Sequence, residues 1–68
     1  MNRIELEVEM IRKGKTNRDM VKETGIDYTT WYRKKKGLFR YSREDIIAIC
    51  HVLGIGANRM IEIFFDDL

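Results

Sequence analysis

The sequence predicts an all-α fold of five short helices in a single domain, residues 1–68. Three observations predict it. Apolar residues return at helical spacing, most clearly at Ile46, Ile49, Cys50 and Leu53. Helix-starting side chains, Thr16 and Ser42, are each followed three residues later by an aspartate, Asp19 and Asp45, in the arrangement of a capping box. Gly14, Gly25, Gly37 and Gly54 stand where successive segments stop, and the links between segments are short.

The elements follow in order. In residues 2–13, Ile4, Leu6, Val8 and Met10 alternate with glutamates, which on its own would suit a half-buried strand. Helical spacing fits too: Ile4, Val8 and Ile11 share one side, Leu6 and Met10 another, and Gly14 supplies a stop. Helix is the reading taken, because no partner strand stands nearby. One apolar stripe is left over after the other packs on the core, so it is a candidate contact for a second subunit. A second helix starts at the Thr16 cap, buries Met20 and Val21, and ends at Gly25. Asp27 then caps a third, from Tyr28 to about Lys36, which Gly37 closes.

Leu38, Phe39 and Tyr41 are expected to pin the next loop to the body. Ser42 opens the strongest core helix, with Ile47 alongside its apolar stripe and Gly54 at its end. A last helix runs from about Ala57 to Phe65. Met60, Ile61, Ile63, Phe64 and Phe65 exceed what one core stripe requires, so Ile61, Phe64 and Phe65 are further dimer-contact candidates. The tail, Asp66 to Leu68, is expected to fray.

The stretch 16–37 organises the rest. At ~100° per residue, Tyr28, Thr29, Tyr32, Arg33 and Lys36 share one side of the third helix, with Thr30, Trp31 and Lys34 opposite. Only one face can be buried, and the tryptophan belongs inside. The outward face then carries groups that suit phosphates and base edges: hydroxyls, a threonine methyl, a guanidinium and an ammonium. Lys35 sits at the edge of that face and reads as a solvated charge. Asp27 reads as a cap rather than a base contact, since phosphates repel a carboxylate.

Charge distribution agrees. The chain nets +2, but residues 28–43 hold Arg33, Lys34, Lys35, Lys36, Arg40 and Arg43 with no acid, leaving −4 for the remainder. A basic patch on an acidic body is the footprint of a polyanion binder. Other classes find little support. One cysteine and no proline exclude an internal disulfide framework and fit a reduced, cytosolic setting. No apolar run approaches the ~18 residues a membrane span needs, and MNRIELEVEM lacks a signal peptide's apolar core. His51 and Cys50 make no metal set; His51 reads as exposed and Cys50 as a small buried hydrophobe. Gly54-Ile55-Gly56 lacks the third glycine and the preceding strand of a dinucleotide loop. No catalytic constellation stands out, so no enzyme, cofactor, metal or small-molecule ligand is expected.

Over Leu6 to Phe65 the chain resembles the Cro/repressor (XRE-like) helix-turn-helix family of phages and bacteria. Thr16, Met20, Val21, Gly25, Ile26, Trp31, Gly37, Leu53, Gly54 and Ile55 carry the resemblance. The segments TWYRKKKG, YSREDIIAI and IEIFF look most like small phage-encoded regulators of Gram-positive hosts. The resemblance implies a five-helix, lambda-repressor-like domain whose Tyr28–Lys36 helix enters the major groove, in a bacterial cytoplasm and on the nucleoid. It implies that Tyr28, Thr29 and Arg33 read bases, and that Lys36, Arg40 and Arg43 lie near phosphates. Asn17 would contact the DNA backbone or support a neighbouring contact. The family often has Gln at Asn17, Glu at Lys35 and Pro near Tyr41; these departures bear on sequence preference rather than docking mode.

The function expected is a double-stranded-DNA operator-binding transcription regulator, a Cro-like repressor acting as a homodimer. Tyr32 joins the DNA-contacting set from its side of the wheel. The alternative is a protein-interaction module whose basic-aromatic face docks an acidic partner. Single-stranded RNA binding lacks the usual sheet platform.

Overall fold

A computed structural model describes residues 1–65; the tail expected to fray lies outside them. Five helices follow one another: α1 (Arg3–Arg12), α2 (Asn17–Thr24), α3 (Tyr28–Lys35), α4 (Arg43–Leu53) and α5 (Ala57–Phe64). Residues 3–12 are thus helix, and no strand occurs among the described residues. Alternation loses because Leu6 and Met10, four apart, both reach the core, and because Asn2 caps the helix, its Oδ1 accepting from the Glu5 amide at 3.1 Å.

Local rules account for most boundaries. Both expected capping boxes form, Thr16 with Asp19 and Ser42 with Asp45. Gly25 closes α2 at φ +78°, a left-handed conformation that costs glycine nothing. Asp27 caps α3, its Oδ2 accepting from the Thr30 amide at 3.2 Å. Only α5 starts without a side-chain cap. Its position therefore rests on packing and on side chains reaching it from α1.

The core is Leu6, Met10, Met20, Ile26, Trp31, Ile49, Leu53, Ile63 and Phe64. α2 packs on α4, and α1 on α5. Tyr41 stands edge-on between Trp31 and Phe64, at ring-centre distances of 6.2 and 5.5 Å. Burial pushes its phenol well above the ordinary range.

Two expectations need correction. Of the loop residues expected to pin residues 38–41, only Tyr41 does so; Leu38 and Phe39 are 67% and 56% exposed. Tyr41 already fills the space against Trp31 and Phe64. Phe64 is no dimer-contact candidate, because it is core; Ile61 and Phe65 remain exposed. A helix with apolar residues on several sides does not reveal by spacing which of two adjacent phenylalanines turns inward.

Candidate DNA-binding surface

The turn between α2 and α3 sets the site. Trp31 is fully buried, and it orients α3 about its axis. Tyr28, Thr29, Arg33 and Lys36 consequently face solvent, with Tyr32 half-buried beside them. Arg40 and Arg43, in and after the following loop, are also exposed. The structure thus leaves six expected residues exposed, with Tyr32 half-buried.

Asn17 has a different situation. Its Oδ1 accepts from Trp31 Nε1 at 3.0 Å and from Lys35 Nζ at 2.7 Å, and its Nδ2 donates to the Tyr32 hydroxyl at 3.4 Å. One amide on α2 therefore holds three side chains of α3. Satisfying the indole N–H matters, since a buried donor left unpaired costs about 1–3 kcal/mol. The Tyr28 hydroxyl donates to that of Tyr32 at 3.3 Å, with the rings 4.8 Å apart. This bond pushes the Tyr28 phenol upward. The Tyr32 oxygen accepts from two neighbours, which leaves its own proton to donate outward.

Two of the six clustered cations are internal. Lys34 is paired with Asp45, the same aspartate that closes the α4 capping box. Burial alone would raise the Asp45 carboxyl, but Lys34 and Ser42 hold it below its ordinary value. Lys35 is paired with Glu7 of α1, and its side chain is only 16% exposed. The solvated charge expected there is a cross-helix tie: Lys35 lies beside Trp31 on the wheel, and α1 passes that edge. Arg33, Lys36, Arg40 and Arg43 keep no ion pair among the described residues, and the Arg33 guanidinium sits 6.0 Å over the Phe39 ring. A cation this close to a ring face is weakly held there.

Sequence reasoning missed the residues that hold α1 in place. Arg3 donates to the Lys36 carbonyl at 2.8 Å, placing a cation at the C-terminal end of α3. Glu9, only 4% exposed, accepts from Arg59 Nε at 2.8 Å and from Arg12 at 3.1 Å. Arg59 also pairs with Glu5 and Glu62. The Arg59 hydrogen bond holds the Glu9 carboxyl below its usual range against the opposing effect of burial, and Glu9 and Glu5 raise Arg59. The one available signal was weak: Arg59 is the single cation of the last helix.

What this surface can do is limited in kind. It offers cations and hydroxyls on an exposed helix, with a small recess beside Arg33 and Arg40 and a larger groove where Tyr32, Lys35 and Lys36 meet α1. That suits an extended polyanion better than an enclosed small substrate. No helix among the described residues is long and apolar enough to cross a membrane.

Comparison with curated proteins and with solved structures gave no match. The sequence profile of a Cro/C1-type HTH DNA-binding domain matches residues 5–58, which span α1 to α4 and the start of α5. Both the helix order and this match over most of its length place the chain in the Cro/C1-type helix-turn-helix family, as a DNA-binding regulator.

Proposed function

We propose that the chain is a sequence-specific transcription regulator that occupies an operator in double-stranded DNA as a homodimer. By covering the operator it would exclude RNA polymerase, as a Cro-like repressor of a phage or prophage. One observation carries this reading: α3 turns Tyr28, Thr29, Arg33 and Lys36 outward around a fully buried Trp31. In the major groove Arg33 pairs with guanine O6 and N7, and Thr29 meets a thymine methyl or a base edge. Tyr28 and Tyr32 offer hydroxyls to phosphates, while Lys36, Arg40 and Arg43 neutralise them. Asn17 serves the site by fixing Trp31, Tyr32 and Lys35 rather than through its own reach. Two protomers place two recognition helices about 34 Å apart, one turn of DNA.

Selection of bound duplexes from a random pool tests the proposal. The expected product is a two-fold-symmetric consensus with a guanine in each half-site, one that Arg33→Ala relaxes. No mobility shift at micromolar protein and low salt would favour docking of an acidic protein partner instead.

A further inference from the structure

The guanidinium of Arg33 has a ring beneath it. Its central carbon lies 6.0 Å over the centre of the Phe39 ring. The backbone sets this up. Gly37 turns left-handed at φ +84°. The Gly37 amide donates to the Lys34 carbonyl and the Leu38 amide to the Arg33 carbonyl, each at 3.0 Å. That pair of bonds is a Schellman motif, which reverses the chain at a helix end. Phe39, the residue after it, is thereby returned alongside Arg33. Thr30, Lys34 and Arg40 complete the recess between them.

Folding does not account for the ring. Phe39 is 56% exposed, and Tyr41 takes the inward place in this loop. Nor does Lys34, which lines the same recess, compete for the ring, because Asp45 holds it.

We propose that Phe39 is a positioning residue for base readout: its ring holds the Arg33 guanidinium by one face and leaves the N–H groups at the guanidinium's edge to a guanine. This deepens the proposed function, and it rests on the assignment of Arg33 to a base.

The chemistry separates the two contacts. Attraction to the ring acts through the ring's face. The five guanidinium donors lie in the guanidinium's own plane. A ring therefore restrains the side chain without using a donor, whereas a carboxylate partner would occupy two. An arginine free in solvent has much rotamer freedom, and a bidentate bond must freeze it. A ring that already restricts the side chain lowers that cost. The benefit appears only where the bidentate bond forms; a base pair without an O6 and N7 pair for Arg33 draws none of it. Phe39 thus acts on discrimination between sequences, not on general grip. It carries no charge, so it releases no counterions.

Two measurements test this. In the free chain, the Arg33 Nε order parameter should fall in Phe39→Leu, which keeps apolar bulk but lacks a π face. It should hold in Phe39→Trp, whose face attracts cations best. On DNA, affinity is compared between two duplexes. One is selected from a random pool; the other differs only at the pair where Arg33→Ala relaxes preference. Phe39→Leu should narrow that ratio by about two- to fivefold, and Phe39→Trp should keep it. The melt and the salt slope should not move, since the ring is exposed and uncharged. In an Arg33→Ala background, Phe39→Leu should add nothing.

The proposal is overturned if Phe39→Leu leaves either the ratio or the order parameter unchanged. It is equally overturned if Phe39→Leu weakens both duplexes alike, or if its effect persists without Arg33; the ring would then touch DNA itself. If Arg33→Ala relaxes preference at no base pair, the underlying assignment falls and this proposal with it. The Arg33 variant alone therefore tells the two failures apart.

Discussion

α1 and α3 lie side by side on the same plan, yet they turn opposite chemistries outward. Each commits one face to the core, Leu6 and Met10 from α1 and Trp31 from α3. The two are tied at their edges by Glu7–Lys35 and by Arg3 on the Lys36 carbonyl. Outward, α1 shows Ile4, Val8 and Ile11, whereas α3 shows tyrosine, threonine, arginine and lysine. Folding requires only the inward faces. The outward ones are free of that demand, so folding alone does not explain why α1 shows an apolar strip and α3 a cationic, hydroxyl-bearing face. Five measurements break or sharpen this contrast.

The largest effect expected is salt dependence. With Lys36, Arg40 and Arg43 proposed to meet phosphates, a dimer would make about six such contacts, so operator affinity should fall about 10³-fold between 50 and 200 mM salt. Titration of a mobility shift across that range checks it. Had all six clustered cations been free, the slope would be steeper; Lys34 and Lys35 are spent on Asp45 and Glu7. Affinity indifferent to salt breaks the contrast outright.

Next comes the clamp that holds α1 rather than anything outward. Glu9→Ala strips Arg59 of its most buried partner. Breaking a buried pair costs about 3–5 kcal/mol; because Arg59 keeps Glu5 and Glu62, about 2–3 kcal/mol is expected, a Tm lower by roughly 10–20 °C. The acid limb has a definite sign. Glu9 and Asp45 both titrate below their ordinary values of 4.5 and 3.8, so their stabilisation is fully present above those values and is lost as pH falls through the folded ones. Thermal melts should decline below about pH 4.5. Glu9→Gln should flatten that decline.

Much of this architecture was legible in the sequence, for an identifiable reason. The Thr16–Asp19 and Ser42–Asp45 boxes, the Asp27 cap and the Gly25 turn are local, so residues a few positions apart carry all the information. Trp31 on one side of a short helix likewise settles which face is buried. Arg59 and Glu9, by contrast, are 50 residues apart, and Lys35 and Glu7 lie on different helices. Nothing local distinguishes a paired lysine from a solvated one. The same lack of local signal hid the inward turn of Phe64, the outward turn of Leu38 and Phe39, and the use of Asn17 as an internal brace.

The third measurement separates reading from positioning within α3. Arg33→Ala should cost about 1–3 kcal/mol at the matched duplex and relax preference at one base pair per half-site. Lys36→Ala should weaken all sequences alike and lower the salt slope by about one per protomer. Binding to matched and mismatched duplexes across the salt range tells them apart, and identical patterns would remove the assigned roles.

Fourth is the brace between α2 and α3. Asn17→Ala leaves the buried Trp31 indole N–H unsatisfied and frees Lys35 and Tyr32. Stability should drop by about 1–2 kcal/mol. Among molecules that remain folded, affinity should fall for every duplex without a change in base preference. A selective loss at one base pair would instead mean that Asn17 itself touches DNA.

The smallest effect is the most pointed. Tyr28→Phe removes one exposed hydroxyl, whose partner in the free protein is the Tyr32 hydroxyl at 3.3 Å. Exposed hydrogen bonds of this kind add little to folding, so the melt should move by less than about 0.5 kcal/mol. If that hydroxyl swings to a phosphate on binding, operator affinity should still fall by about 1 kcal/mol, roughly fivefold. No charge is lost, so the salt slope should stay as it was, unlike in Lys36→Ala. Unchanged affinity in Tyr28→Phe would mean that only the ring of Tyr28 serves α3, propping Tyr32, and the outward face would then owe its grip to cations alone.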